Sequence, residues 1–199
     1  MPRRERKRRQ ADPDHGGSSH GPEDLLFRVD GIEVVEANPD DAAGLQALLE
    51  ESSDFFELTT GLPPGSAEVQ SLFTAVPGGK TYADKHVIAL LPQSEGTVGV
   101  MDAVSNYPEN DSWWLALLLL GPRARRRGIG TLVFNAFVDW AAAHGARNVY
   151  LSVKAQNEAA IRFWRRLGFI SVETKASARL GANDSIVIVM RQQLILGER

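Results

Sequence analysis

Leu117-Leu118-Leu119-Leu120-Gly121-Pro122-Arg123-Ala124-Arg125-Arg126-Arg127-Gly128-Ile129-Gly130 is the stretch on which the reading of this chain turns. An apolar run gives way to a loop with four arginines. The loop leads into a periodic segment with Leu132, Val133, Ala136, Phe137 and Trp140 on one face. The spacing predicts a buried strand, a basic loop and a helix from about Gly128 to His144, capped by Gly145. At the start of such a helix, unpaired N–H groups and the positive end of the macrodipole face outward. Gly128 and Gly130 let the backbone approach an anion closely. Strand, loop and helix together predict a polyphosphate site. A Walker loop is excluded, because Ile129 follows Gly128 and Thr131 follows Gly130 where Lys and Ser or Thr would be needed. A dinucleotide fingerprint is unsupported, with Val133 where a third small residue belongs. A basic surface loop that merely starts a helix stays open at this level, since charge runs are usually solvated.

Outward from the loop, the chain alternates element types. Val149 to Val153 reads as a strand, Asn157 to Leu167 as a helix, and Ile170 to Thr174 and Ile186 to Met190 as strands. Upstream, His86 to Leu91, Val98 to Val104 and Trp113 to Leu120 read as consecutive strands. Their connections through Gln93-Ser94-Glu95-Gly96 and Pro108-Glu109-Asn110-Asp111 are short, which predicts antiparallel neighbours. Leu115 to Leu120 does not alternate, as expected for a strand covered on both faces. Phe27 to Ala37 suits a first strand. Asn38-Pro39-Asp40-Asp41 suits a helix start, with Leu45, Leu48 and Leu49 on its apolar face. Gly61-Leu62-Pro63-Pro64-Gly65 breaks the chain before a short helix over Ala67 to Ala75. The class is α/β (α+β): a mixed sheet with helices on both faces.

With 199 residues and 43% hydrophobic content, one domain with a proper core is expected. No cysteine is present, so thiolate nucleophiles, disulfides and zinc–thiolate sites are excluded, and no metal site is expected. A reducing cytoplasm fits. Trp113 to Leu120, the longest apolar run, is too short to span a bilayer, and Met1 to Gln10 lacks the apolar part of a secretory signal. Arg3, Arg4, Arg6, Lys7, Arg8 and Arg9 stand against Glu5 alone, whereas the remaining chain holds 16 basic and 24 acidic residues. Residues 1–24 are therefore read as a disordered basic tail and 25–199 as the domain. An acidic body argues against nucleic acid as a partner, except through the arm over 3–9.

Two segments point further. Arg125-Arg126-Arg127-Gly128-Ile129-Gly130 resembles the Arg/Gln-x-x-Gly-x-Gly/Ala loop of the GNAT acetyltransferase superfamily. Asn157-Glu158-Ala159-Ala160-Ile161-Arg162-Phe163-Trp164-Arg165-Arg166-Leu167-Gly168-Phe169 resembles its second motif, an Asn-initiated helix ending in Leu-Gly-Phe. The resemblance covers Leu26 to about Leu194 and is specific from Trp113 to Phe169. It implies a sheet splayed open like a V, with acetyl-CoA as cosubstrate in the split. Leu118, Leu119 and Leu120 would pair with the pantetheine arm. The amides of Arg126 to Gly130, with Ile129 between and Thr131 following, would cradle the pyrophosphate. Arg125, Arg126 or Arg127 would supply charge. Asn157 would contact the pantetheine from the start of its helix, a role compatible with capping that helix. Trp164 stands along the same cofactor wall, where many members carry an acidic tyrosine. An indole N–H is a poor proton donor, and packing on the core is its plainer role.

Moving acetyl from a thioester to an amine needs a neutral amine, donors for the carbonyl oxygen and a fate for the thiolate. No covalent intermediate on the protein is required. Asp102 is the leading candidate base, because it interrupts the apolar strand Val98-Gly99-Val100-Met101-Asp102-Ala103-Val104. A carboxylate there needs a reason to be buried. Glu57, in Asp54-Phe55-Phe56-Glu57-Leu58, is the alternative. Tyr107 and Tyr150 are the nearest phenols but do not match the motif position, and His86 and His144 suit structural roles. The resemblance thus implies an N-acetyltransferase acting on a primary amine of a small molecule or amino terminus. The alternative is a catalytically weak module that binds acetyl-CoA or CoA. A homodimer is left open.

Overall fold

A computed structural model of the chain describes residues 20–93, 95–177 and 185–194. The arm over Arg3 to Arg9, most of the tail expected over 1–24, and Ser94 lie outside the described residues. His20 to Asp24 form a turn against the domain: the Asp24 carbonyl accepts from Glu36 N at 2.8 Å, and His20 Nε2 lies 3.0 Å from Asp41 Oδ2.

Asp-Gly closes two-residue hairpins because both central positions of that turn need positive φ. Asp30 and Gly31 adopt φ of 49° and 76°. The single strand expected over Phe27 to Ala37 is therefore two antiparallel strands, β1 (Leu25–Val29) and β2 (Ile32–Glu36). At Asn38 the expected cap forms: Asn38 Oδ1 accepts from Asp40 N at 2.8 Å, and Asn38 N donates to the Asp41 carboxylate at 2.7 Å. A short 3-10 turn then leads into α1 (Ala42–Glu51), whose Leu45, Leu48 and Leu49 are buried. After Ser52 the chain forms a further helix, α2 (Ser53–Thr60), before the break at Gly61. α3 (Ala67–Thr74) follows.

Next come β3 (Lys85–Pro92), β4 (Gly99–Val104) and β5 (Ser112–Leu120), each antiparallel to the one before, as their short connections require. α4 (Ile129–Ala143) carries the chain over to β6 (Asn148–Lys154), which joins β5 in parallel. α5 (Glu158–Arg166), β7 (Ile170–Ser177) and β8 (Ser185–Gln193) complete the domain. The sheet order is β1-β2-β3-β4-β5-β6-β8-β7.

Each face of the sheet carries its own core. On one, α1, α2 and α3 pack Leu45, Leu49, Phe56 and Leu72 against Val87, Val100 and Leu119. On the other, α4 and α5 pack Val133, Phe134, Phe137 and Trp164 against Ile88, Met101, Trp113 and Leu115. Phe134 and Phe137 have no exposed surface, and burial of each contributes about 2–3 kcal/mol. α4 buries Ile129, Val133, Phe134, Phe137 and Ala141, so Leu132, assigned to that face from spacing, is instead 44% exposed. Among the described residues, no helix is long and apolar enough to cross a membrane.

β5 owes its irregular sequence to a bulge. Asp102 pairs with Leu117 and Ala103 with Leu115, so Ala116 is left without a partner. The extra residue reverses the alternation. Trp113 and Leu115 face the α4–α5 core before it, and Leu118 and Leu120 face the same way after it. Coverage on both faces is therefore not the main cause of the unbroken apolar run. Ala116 is exposed and Leu117, Leu118 and Leu120 are half-buried along an open cleft.

Candidate functional site

The cleft arises where two neighbouring strands part. β5 and β6 pair only through Ser112–Asn148, Trp113–Val149 and Trp114–Tyr150. Beyond that, β5 keeps β4 as its partner through Leu120, and β6 keeps β8 through Lys154. The facing edges present backbone N–H and C=O groups without a strand partner, and such groups need satisfaction from something that enters.

On the α4 side the gap opens into a cleft of about 650 Å³. Leu118, Leu119 and Leu120 form one wall and Asn157, Phe163 and Trp164 another. Its floor is the basic loop. Arg126 and Gly128 both have left-handed backbones, φ 62° and 81°, and α4 begins at Ile129. Alternating handedness turns successive N–H groups towards one side, and the helix start adds partial positive charge. A Cβ on Gly128 would meet nothing within 4 Å, so the space above the loop is open. A Cβ on Gly130 would lie 3.4 Å from a Leu120 methyl and 3.5 Å from Phe163, in ordinary contact.

The arginines divide their roles. Arg125 Nε donates to the Leu120 carbonyl at 2.7 Å, and Nη1 donates to Asp54 Oδ2 at 2.5 Å. It thereby ties the loop to the end of β5 and to α2. The hydrogen bond from Arg125 holds the Asp54 carboxyl below its ordinary range. Arg125 Nη2 is buried without a partner among the described residues. Arg126 is exposed at the cleft, and Arg127 is exposed but does not line it. Ile129 is in the core, leaving its backbone for the cleft, while Thr131 lines the rim. Asn157 caps α5, its Oδ1 accepting from Ala160 N at 3.0 Å, and its side chain still faces the gap. Trp164 packs edge-on to Phe134 and Phe169, with ring centroids 5.2 and 5.3 Å away, and borders the gap with its remaining surface.

A space of about 330 Å³, the throat, shares Leu118, Asn157 and Trp164 with this cleft and adjoins a further space of about 730 Å³. Asp102, Ala116, Ser152 and Val187 border both. Asp102 is buried and accepts a hydrogen bond from Lys85 Nζ at 2.7 Å. Burial pushes its carboxyl above the usual range, and the Lys85 ammonium opposes that rise without cancelling it. Such a carboxylate is a better base than an exposed one. Glu57 is exposed on α2 and lines none of these spaces. His86 stacks on Trp113 at 4.8 Å, and His144 Nδ1 lies 2.8 Å from the Trp140 carbonyl, both consistent with structural roles.

Several lining residues escaped the sequence reading. Asp54, Phe55 and Leu58 come from α2, the segment in which Glu57 alone was singled out. Ala159, Ala160, Phe163 and Arg166 form one stripe of α5 on the cleft beside the basic loop. Their helical spacing was a usable signal for Arg166. Lys85, the partner of Asp102, is a lone cation at the start of an apolar strand. That position asks for a buried anion.

Residues 46–169 match the family model described as the acetyltransferase (GNAT) family. An uncharacterized N-acetyltransferase of Methanocaldococcus jannaschii is 36% identical over 66 residues, 33% of this chain and 29% of that protein. One from Bacillus subtilis is 27% identical over 119 residues, 58% of this chain and 43% of that protein. The chain thus spans less than half the length of these curated relatives. In fold it is similar to an acetyltransferase from Thermus thermophilus, with a TM-score of 0.66, 24% identity and coverage of 84% of this chain and 100% of that one. It is also similar to a ribosomal L7/L12 alpha-N-protein acetyltransferase in complex with coenzyme A, with a TM-score of 0.69, 15% identity and coverage of 85% and 98%. The spermidine N-acetyltransferase from Vibrio cholerae, in complex with CoA and spermine, superposes with a TM-score of 0.63 at 14% identity over 82% and 95%.

Proposed function

The chain belongs to the acetyltransferase (GNAT) family, and on that premise we propose that it transfers acetyl from acetyl-CoA to a primary amine by direct attack in a ternary complex. The observation that carries this reading is the row of adjoining spaces at the parted strands, sharing lining residues from the basic loop at one end to Asp102 at the other. The residues suit the cosubstrate. The N–H groups of Arg126 to Gly130, with Arg126 and Arg166, would bind the pyrophosphate, and the buried Nη2 of Arg125 is a further unspent donor. The free edge of β5 from Leu118 to Leu120 would pair with the pantetheine amides, and Asn157 would meet the same arm from α5.

An amine entering from the far side reaches the throat beside Asp102. The new N–C bond forms as the C–S bond breaks, the amine's proton passes to Asp102, and coenzyme A leaves as the thiolate. Strand amides around Leu118 and Leu119 would donate to the acetyl oxygen as it gains charge. No tyrosine lines the cofactor-side cleft or the throat among the described residues, whereas Tyr107 and Tyr150 line the acceptor side. Trp164 therefore acts as a wall and not as an acid. The acceptor is a small molecule or an amino terminus, and a cytoplasmic location suits the cosubstrate.

The test is release of free thiol from acetyl-CoA over a panel of amines, for the wild type and Asp102→Asn. The expected result is transfer that falls about a hundredfold in the variant. Acetyl-CoA affinity should stay unchanged, and the defect should shrink at high pH as the amine becomes neutral by itself. Tight acetyl-CoA binding with no transfer to any amine would leave a binding module instead.

A further inference from the structure

The body that carries the acceptor amine must fit the space beyond Asp102, and this inference rests on the transfer reading above. Tyr150, Trp114, Val104 and Lys85 stand in one row across β6, β5, β4 and β3. Trp114 and Tyr150 are the last pair before the strands separate, so the two rings form the apex of the split on the acceptor side. Tyr107 packs edge-on to Trp114, with centroids 5.8 Å apart and planes at 75°. All three aromatic residues line the 730 Å³ space.

Its charges cancel. Among the described residues bordering the throat and this space, the carboxylates are Asp102, Glu68 and Glu173 and the ammoniums are Lys85, Lys154 and Lys175. Lys85 and Asp102 pair at 2.7 Å, and Lys175 and Glu173 at 3.5 Å. A polycation would find no carboxylate in surplus, and an unmatched buried ammonium is costly. An apolar ring finds three aromatic neighbours. Aromatic pairs in edge or offset geometry contribute beyond the area they bury.

We infer that the acceptor is a primary amine borne on one aromatic body, an arylalkylamine in class. Its ring packs against Trp114, Tyr107 and Tyr150, and its amine points to Asp102. The test compares phenethylamine, butylamine and spermidine as acceptors for the full chain with acetyl-CoA. Phenethylamine should exceed both others in kcat/KM by about tenfold or more. Trp114→Ala should remove most of its advantage over butylamine through KM, with acetyl-CoA affinity unchanged, and Trp114→Phe should restore much of it. Preference for spermidine, or a phenethylamine-to-butylamine ratio untouched by Trp114→Ala, overturns the inference. If acetyl-CoA binds but no amine is acetylated, the transfer reading has failed, and the acceptor class is decided by calorimetric titration of the CoA-loaded protein with phenethylamine. Binding that Trp114→Ala weakens supports the class, and absent or unaffected binding overturns it.

Discussion

Replacing Lys85 with Met tests the central electrostatic feature of the site. Lys85 Nζ lies 2.7 Å from Asp102 Oδ1, and the two side chains are 3% and 10% exposed. At an effective dielectric of about 20, unit charges at that separation attract by about 6 kcal/mol. Even so, the Asp102 carboxyl titrates above its ordinary range, because burial outweighs the ammonium. Lys85→Met keeps most of the side-chain volume and removes the charge. Asp102 is left with a mostly buried carboxylate that no cation stabilises. The expected loss of stability near neutral pH is about 3–5 kcal/mol. The pH dependence has a definite sign. A carboxyl whose folded-state value is raised binds its proton more tightly folded than unfolded. The stability it contributes is present below the unfolded value and lost as pH rises through the folded one. Lys85→Met raises the folded value further, so the gap from the wild type should widen as pH rises and close in acid. Urea denaturation of both proteins from acid to mildly alkaline pH measures this. Lys85→Met with Asp102→Asn should recover most of the loss. A pH-independent loss below about 1 kcal/mol, typical of solvated pairs, would refute the reasoning.

Two further outcomes concern the basic loop. Gly128→Glu should abolish acetyl-CoA binding in calorimetry while the circular dichroism of the fold persists. The new carboxylate occupies the anion space, and the backbone at φ 81° adds about 1–2 kcal/mol of strain. Gly128→Ala isolates the strain alone, and unchanged affinity in a folded Gly128→Glu protein would remove the loop from the site. Asp54→Asn should tighten acetyl-CoA binding about two- to fivefold at low salt and less at high salt. It frees Arg125 and withdraws a negative charge from the cleft. Weaker binding would mean that Asp54 holds Arg125 in its productive position.

Much of the fold was legible because its signals are local. The Asn38 cap, the strand–loop–helix around Arg125 to Gly130 and the Asn157 cap each need only a few neighbouring residues, and each forms. Asp30-Gly31 was equally local, and the hairpin there went unread although the dipeptide is its strongest short signal. Other features depend on partners distant in sequence. Arg125 meets Asp54 across 71 residues, and Lys85 meets Asp102 across 17. Neither pairing leaves a trace in periodicity. The prominence of Asp102 did follow from sequence, since a carboxylate in an apolar strand demands an explanation, but its partner needed the register between β3 and β4. Glu57 shows the converse: proximity in sequence to cleft-lining aromatics does not decide which side of a helix a residue occupies.

The unpaired Ala116 also bears on how this segment can vary over evolution. Upstream of it odd-numbered residues of β5 face the α4–α5 core, and downstream even-numbered ones do. Any substitution at Ala116 with room for its side chain keeps that phase. Losing the residue would remove the bulge: Leu117 would follow Leu115 directly, keep its place opposite Asp102, and leave Leu118 and Leu120 facing α4 as before. A one-residue loss at this point is therefore absorbed by the pairing with β4, and insertions should collect in the loops at either end of the strand.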